Sequence, residues 1–98
     1  MHIAFNAWFW NQPHVGSGQY LQRLVFALNK LAPELKMSLI LPPNTAITDP
    51  LPPNVTAIPT TGRGGAMGKV LFEQRTFPRM VKACGADLAH VPYWGAPL

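Results

Sequence analysis

Glycine, serine and glycine at positions 16, 17 and 18 stand just ahead of a run with helical spacing, and they are the residues of this chain best suited to holding an anion. Glycine lets a backbone approach a ligand closely, and the free amide groups of a helix start then offer hydrogen bonds to a phosphate or carboxylate. The pattern departs from a dinucleotide fingerprint. A third glycine would fall at Leu21, about ten residues separate the apolar opening from Gly16, and no acid follows the second apolar run to hold a ribose. These departures argue against a nicotinamide cofactor, and no other cofactor is implied. The plain alternative for Gly16, Ser17 and Gly18 is a flexible helix entry that binds nothing.

Trp8, Phe9, Trp10 and His14 precede that loop. Flat rings pack on the apolar faces of sugars and on bases, so the cluster has the chemistry of a sugar-binding or base-stacking surface. The competing reading puts two of the rings in the core and one outside. His2 and His90 fall on expected strands, where a histidine is usually buried with one hydrogen bond. His14, in a loop among glycines, is the better ligand contact. Cys84 lies on an inner helical stripe and reads as packing rather than as a nucleophile. No paired carboxylates, no Ser–His–Asp or Cys–His set and no metal-ligand spacing can be assembled.

Five of the eight basic residues, Arg63, Lys69, Arg75, Arg79 and Lys82, lie in a twenty-residue stretch whose one acid is Glu73. Such a local field attracts phosphate, nucleic acid or an anionic membrane surface, and peripheral membrane contact is one reading of it. A solvated helix face is the other. Arg75, Arg79 and Lys82 share one face, opposite Val70, Phe77 and Val81. No aromatic residue interleaves with the charges, which argues against nucleic acid. Gln74 falls within the apolar stripe and is expected to make a buried hydrogen bond.

The elements that must position these residues follow from the apolar pattern. His2 to Ala7 reads as a buried first strand. Leu21, Leu24, Val25, Leu28 and Leu31 form one stripe of a helix that begins near Gln19, with Ser17 as N-cap and Pro33 beyond its end. Phe26 lies off that stripe, placed by chance or by contact with something outside the chain. Met37 to Leu41 is a second strand and Val55 to Ile58 a third, joined by a proline-rich connection. A second helix is expected over Met67 to Cys84, with a kink or break near Pro78 and a stop at Gly85. Asp87 to Val91 is the fourth strand. Strands that alternate with helices and are apolar on both faces predict an α/β fold: a partial Rossmann-like half of a doubly wound parallel sheet, with four strands and two main helices.

Composition sets the outer bounds. The chain has 98 residues, 48% hydrophobic and 12% charged, with a net charge of +4 and one cysteine. That is one small domain or part of a larger one, and it is neither disordered nor stapled by disulfides. The single cysteine fits a reducing, cytoplasmic setting, and no apolar run reaches membrane-spanning length. So few charges on so small a body point to surface that faces protein rather than water.

At this point the residues resemble a known family. Met1 to Asn6 followed by Gly16-Ser17-Gly18-Gln19-Tyr20 resembles the opening of the retaining glycosyltransferases of family four, which begin with a similar strand and a Gly-x-Gly-Arg-Tyr loop. Phe72-Glu73-Gln74 followed by Pro78 is similar to the aromatic-Glu-Gln helix of the same domain. Asp87 to Pro92 and the tail Tyr93-Trp94-x-x-Pro97-Leu98 resemble its fourth strand and following loop. The likeness spans residues 1–98 in the family's order. It implies the N-terminal, acceptor-side domain of a two-Rossmann-domain (GT-B) enzyme that moves a sugar from a nucleotide-sugar donor to an acceptor.

By that resemblance Gly16, Ser17 and Gly18 face the donor diphosphate, while Trp8, His14, Tyr93 and Trp94 line the acceptor cleft. Gln19 stands where the family commonly has arginine, and Asn6 where it commonly has aspartate. The resemblance also implies a truncated chain. It ends before the strand carrying the family's His-Asp motif and lacks the donor-binding domain, so the isolated piece is expected to be inactive and to self-associate as a homo-oligomer. Two other readings stay open: a stand-alone α/β module that binds an anion or sugar phosphate at Gly16 to Gly18, and an interaction fragment that works through self-association.

Overall fold

The computed structural model describes residues 1–12 and 14–92. Four strands, β1 (His2–Asn6), β2 (Lys36–Ile40), β3 (Val55–Ile58) and β4 (Leu88–His90), form one sheet in the order β3-β2-β1-β4. Every pairing is parallel, with Phe5 opposite Leu39 on one side and His90 on the other. The fold is α/β and partly Rossmann-like, as the alternation of apolar runs predicts.

Strand β1 is covered on both faces because its side chains alternate. Phe5 packs with Leu21 and Val25 of helix α1 (Gly16–Leu31), while Ala4 faces Phe72 and Phe77 of a second helical run. The two crossovers therefore lie on opposite faces. Between β2 and β3 the prolines forbid a helix, and the connection instead rests Ile47 and Leu51 on the α1 side of the sheet. Thr60 Oγ1 donates to the Leu41 carbonyl at 2.7 Å, which pins the chain beyond β3 to the end of β2. Among the described residues no helix is long and apolar enough to cross a membrane.

The second helical run is α2 (Gly65–Leu71), a π turn (Phe72–Thr76) and α3 (Phe77–Ala83) in direct succession. Pro78 explains the wide turn. A proline ring inside an α-helix strikes the carbonyl four residues back, here that of Gln74, and supplies no N–H to it. The chain widens by one residue instead, and the Phe77 N–H bonds the Phe72 carbonyl five positions back. One added residue rotates everything N-terminal to it by about 100° relative to an unbroken α-helix.

That rotation corrects two expectations: Gln74 is exposed rather than buried and Val70 is exposed rather than inside, while Glu73 takes the buried position. The Glu73 carboxylate is held by Lys69 Nζ at 2.9 Å, one turn earlier. At the other end Gly85 stops the helix as expected. It adopts φ +73°, and the N–H groups of Gly85 and Ala86 bond the carbonyls of Lys82 and Val81. Phe26 needs no outside partner, since its half-exposed ring lies 6.1 Å from that of buried Trp10.

If Pro78 causes the π turn, the two features are energetically coupled. Deleting the exposed Gln74 should force an α-turn onto Pro78 and lower stability by about 2–3 kcal/mol. Adding Pro78→Ala to the deletion should recover most of that loss. Urea unfolding of the four proteins in the cycle checks this, and equal stability of the deletion with and without Pro78 would count against the assignment.

Candidate functional site

Open parallel sheets bind ligands beyond the C-terminal ends of their strands, where the order of strands reverses. Here the chain steps outward from β1 through β2 to β3 and then returns to set β4 on the other side of β1, so the reversal lies between β1 and β4. Asn6 and His90 are the last residues of those two strands.

Each carries a buried nitrogen, Nδ2 of Asn6 and Nε2 of His90, with no hydrogen-bond partner among the described residues. Asn6 is fully buried, and its Oδ1 accepts the Trp8 N–H at 3.0 Å, a short loop that turns the chain out of β1. His90 packs edge-on against Phe5 at 5.7 Å and lies 6.2 Å from the Tyr20 ring. The expected hydrogen bond of a buried strand histidine is thus missing at His90 Nε2 among the described residues, where its ring contacts are Phe5 and Tyr20. His2 behaves as expected, with Nε2 2.6 Å from Ser38 Oγ. An unpaired buried polar group costs about 1–3 kcal/mol, so two of them at one sheet edge call for an explanation.

Helix α1 begins at this edge, three residues earlier than the stripe predicts. Backbone bonds from Val15 N–H to the Gln12 carbonyl and from Gln19 N–H to the Val15 carbonyl, both 3.1 Å, close the turn ahead of it. Val15 therefore takes the N-cap position with no side-chain bond, and Ser17, expected as the cap, lies inside the first turn.

The two glycines of the loop have different tasks. Gly18 is buried, and a Cβ there would overlap the carbonyl oxygens of Phe9 and Gln12. The close backbone approach that Gly18 permits is to the chain's own loop. Gly16 is exposed, and a Cβ on it meets nothing. Gly16 lines a hollow of about 380 Å³ with Gln19, Tyr20 and Arg23. Trp8, half-buried with its ring 5.2 Å from that of Phe72, lines a separate hollow of about 290 Å³ with Asn11, Pro42 and Asn44.

His14 is exposed, and Tyr93 and Trp94 lie outside the described residues. The structure thus places Gly16 and Trp8 in different hollows flanking one loop. Cys84 is half-buried, with Sγ 3.4 Å from the Val81 carbonyl, as a packing residue. Among the described residues no three His, Cys, Asp or Glu side chains gather as a metal site.

Asn6 was legible as a polar residue within the expected strand His2 to Ala7, but its place at the end of β1, opposite Ile40, is set by pairing 34 positions away. No protein-family model, curated protein or solved structure matches the chain.

Substitution separates the two glycines. Gly18→Ala should destabilise the fold by roughly 1–3 kcal/mol or more through overlap with two carbonyls. Gly16→Ala should leave stability unchanged or raise it by up to about 1 kcal/mol. Urea titrations of both variants measure the contrast, which disappears if the glycines are equivalent.

Proposed function

We propose that this chain forms part of the acceptor-side domain of a retaining GT-B glycosyltransferase, which moves a hexosyl group from a nucleotide-sugar donor to an acceptor. The observation that carries the reading is the position of the Gly16-Ser17-Gly18 loop. It opens a 16-residue helix at the C-terminal edge of β1, beside the reversal of strand order and two buried nitrogens that have no partner among the described residues. A helix start of that length concentrates partial positive charge and free N–H groups where a diphosphate would lie. The resemblance of the chain to family-four enzymes supplies the reaction.

In this reading Gly16 and Ser17 offer backbone amides to the donor phosphates, and Gly18 holds the loop that presents them. The rings of Trp8, Tyr93 and Trp94 and the imidazole of His14 serve the acceptor. Groups that stabilise the developing charge at the sugar belong to a second domain, so residues 1–98 alone should transfer nothing.

A second reading, self-association, is favoured by one feature. Strand β4 is an edge strand whose Leu88 is 51% exposed, and Phe77, Val81, Ala89 and Val91 line an apolar hollow beside it. An unpaired strand edge next to an apolar hollow is a template for pairing. The 98-residue chain should sediment as a dimer or larger at micromolar concentration; a monomeric mass would remove this reading.

The transfer reading is tested on the protein expressed from its complete reading frame, with a panel of uridine, guanosine and adenosine diphosphate hexoses. Acceptor-dependent release of the nucleoside diphosphate is expected. Gly16→Asp adds an anion at an open helix start, where it does not harm folding, and should weaken donor use at least tenfold. Folded protein that releases no nucleotide from any donor, or a Gly16→Asp variant with unchanged donor KM, would overturn the reading.

A further inference from the structure

The five clustered basic residues do not share one fate. Lys69 is engaged by Glu73, with its ammonium 5.6 Å from the centre of the Phe9 ring, and Lys82 lies on the outer face of α3. Arg63, Arg75 and Arg79 come together around one pocket of about 290 Å³. It opens beyond the C-terminal ends of β2 and β3, where Thr61 and Thr76 add hydroxyls and Phe72 an apolar wall. No acidic side chain lines it, and none of the three guanidinium groups has a hydrogen-bond or ion-pair partner among the described residues.

Two local devices build this arrangement. Gly68 is buried inside α2, and a Cβ there would overlap the Arg63 carbonyl, so the absence of a side chain lets the loop bearing Arg63 lie directly on the helix. The π turn contains Arg75 and Thr76, and Arg79 follows one α-turn after Arg75. Glycine weakens a helix interior, and gathering three cations around a small hollow is unfavourable unless an anion joins them. Planar guanidinium groups match the paired oxygens of a phosphate, and the hydroxyls complete such a shell. The volume is at the small end of small-molecule sites (roughly 300–1,000 Å³), and the Phe72 wall favours an organic phosphate over a bare ion.

We propose that the Arg63, Arg75 and Arg79 pocket binds the phosphate group of a small organic phosphomonoester. The pocket shares no residue with the Gly16 to Gly18 loop, so the inference stands or falls separately from the transfer reading. Free glycerol 3-phosphate and inorganic phosphate are titrated calorimetrically, and vesicles of phosphatidylcholine with and without phosphatidic acid are offered in parallel.

Saturable one-to-one binding of a free probe is expected. It should be weakened at least tenfold by Arg63→Gln and by Arg79→Gln, both exposed positions whose change leaves the core intact. Lys82→Gln removes the same charge outside the pocket and should change affinity less than threefold. Gly68→Ala, if folded by circular dichroism, should weaken binding as the arginine variants do. Arginine-dependent binding of phosphatidic acid vesicles alone would assign the phosphate to a lipid headgroup. Absence of binding in both arms, or equal loss in Lys82→Gln and Arg79→Gln, overturns the proposal.

Discussion

Backbone lies directly on backbone at two helical glycines, and the C-terminal edge of the sheet depends on both contacts. At Gly18 the carbonyls of Phe9 and Gln12 sit where a side chain would be, and at Gly68 the carbonyl of Arg63 does. Loops of this kind carry few buried apolar side chains of their own, so packing alone would leave them loose. Removing the Cβ lets the loop settle against a rigid helix at shorter range than any side-chain contact allows. The aromatic turn after β1 and the basic loop after β3 are both fixed in this way. Each helix gives up intrinsic propensity, about 1 kcal/mol per glycine, to hold the loop beside it.

The π turn does the same work along the second helical run. An α-helix interrupted by Pro78 would kink and shift α3 away from Ala4 and Ile40. Widening the preceding turn keeps Phe72 and Phe77 both buried on the sheet, five positions apart, although an α-helix would place residues four apart on one face. The added residue also brings Arg75 and Thr76 to the pocket. One steric conflict at a proline therefore sets the core contact and the basic pocket together.

The order of elements along the chain, the parallel α/β character and the burial of β1 were legible in the sequence because each rests on a period of two or of 3.6 residues. The order of strands in the sheet was not. Leu21, Val25 and Phe77 announce burial by spacing alone, and Gly85 announces a stop by its position after Cys84, whereas Phe72, five positions before Phe77, falls off that helical stripe. The errors share a cause. Gln74 and Val70 were misplaced because a constant helical period cannot contain an extra residue, although Pro78 marked where the period had to fail. Ser17 was misplaced as a cap because the bonds from Val15 and Gln19 that start the helix earlier are backbone bonds, to which residue type is almost blind. The pocket was half visible: Arg75 and Arg79 share a helical face, but Arg63 joins them only through Gly68, a contact between a loop and a helix that has no periodic signature.

Asn6 and His90 end the two strands between which the order of strands reverses. A polar side chain at the end of a strand normally finds a backbone partner in the following loop, and Asn6 Oδ1 does so with Trp8. Its Nδ2 and the His90 Nε2 have no partner among the described residues, although the paired segments of both strands are regular. A Val or Leu at position 90 would bury apolar area and remove an unpaired nitrogen. At position 6 the side-chain oxygen is needed to accept the Trp8 N–H, and only Nδ2 goes without a partner among the described residues. Asn6 faces the side of the sheet covered by Phe72, and His90 the side covered by α1, so a single structural role does not account for both. What they share is the sheet edge at which the order of strands reverses. In the proposed reading a bound donor would satisfy these groups, which have no partner among the described residues, and the helix start at Gly16 and the arginine pocket beyond β3 lie at the same edge.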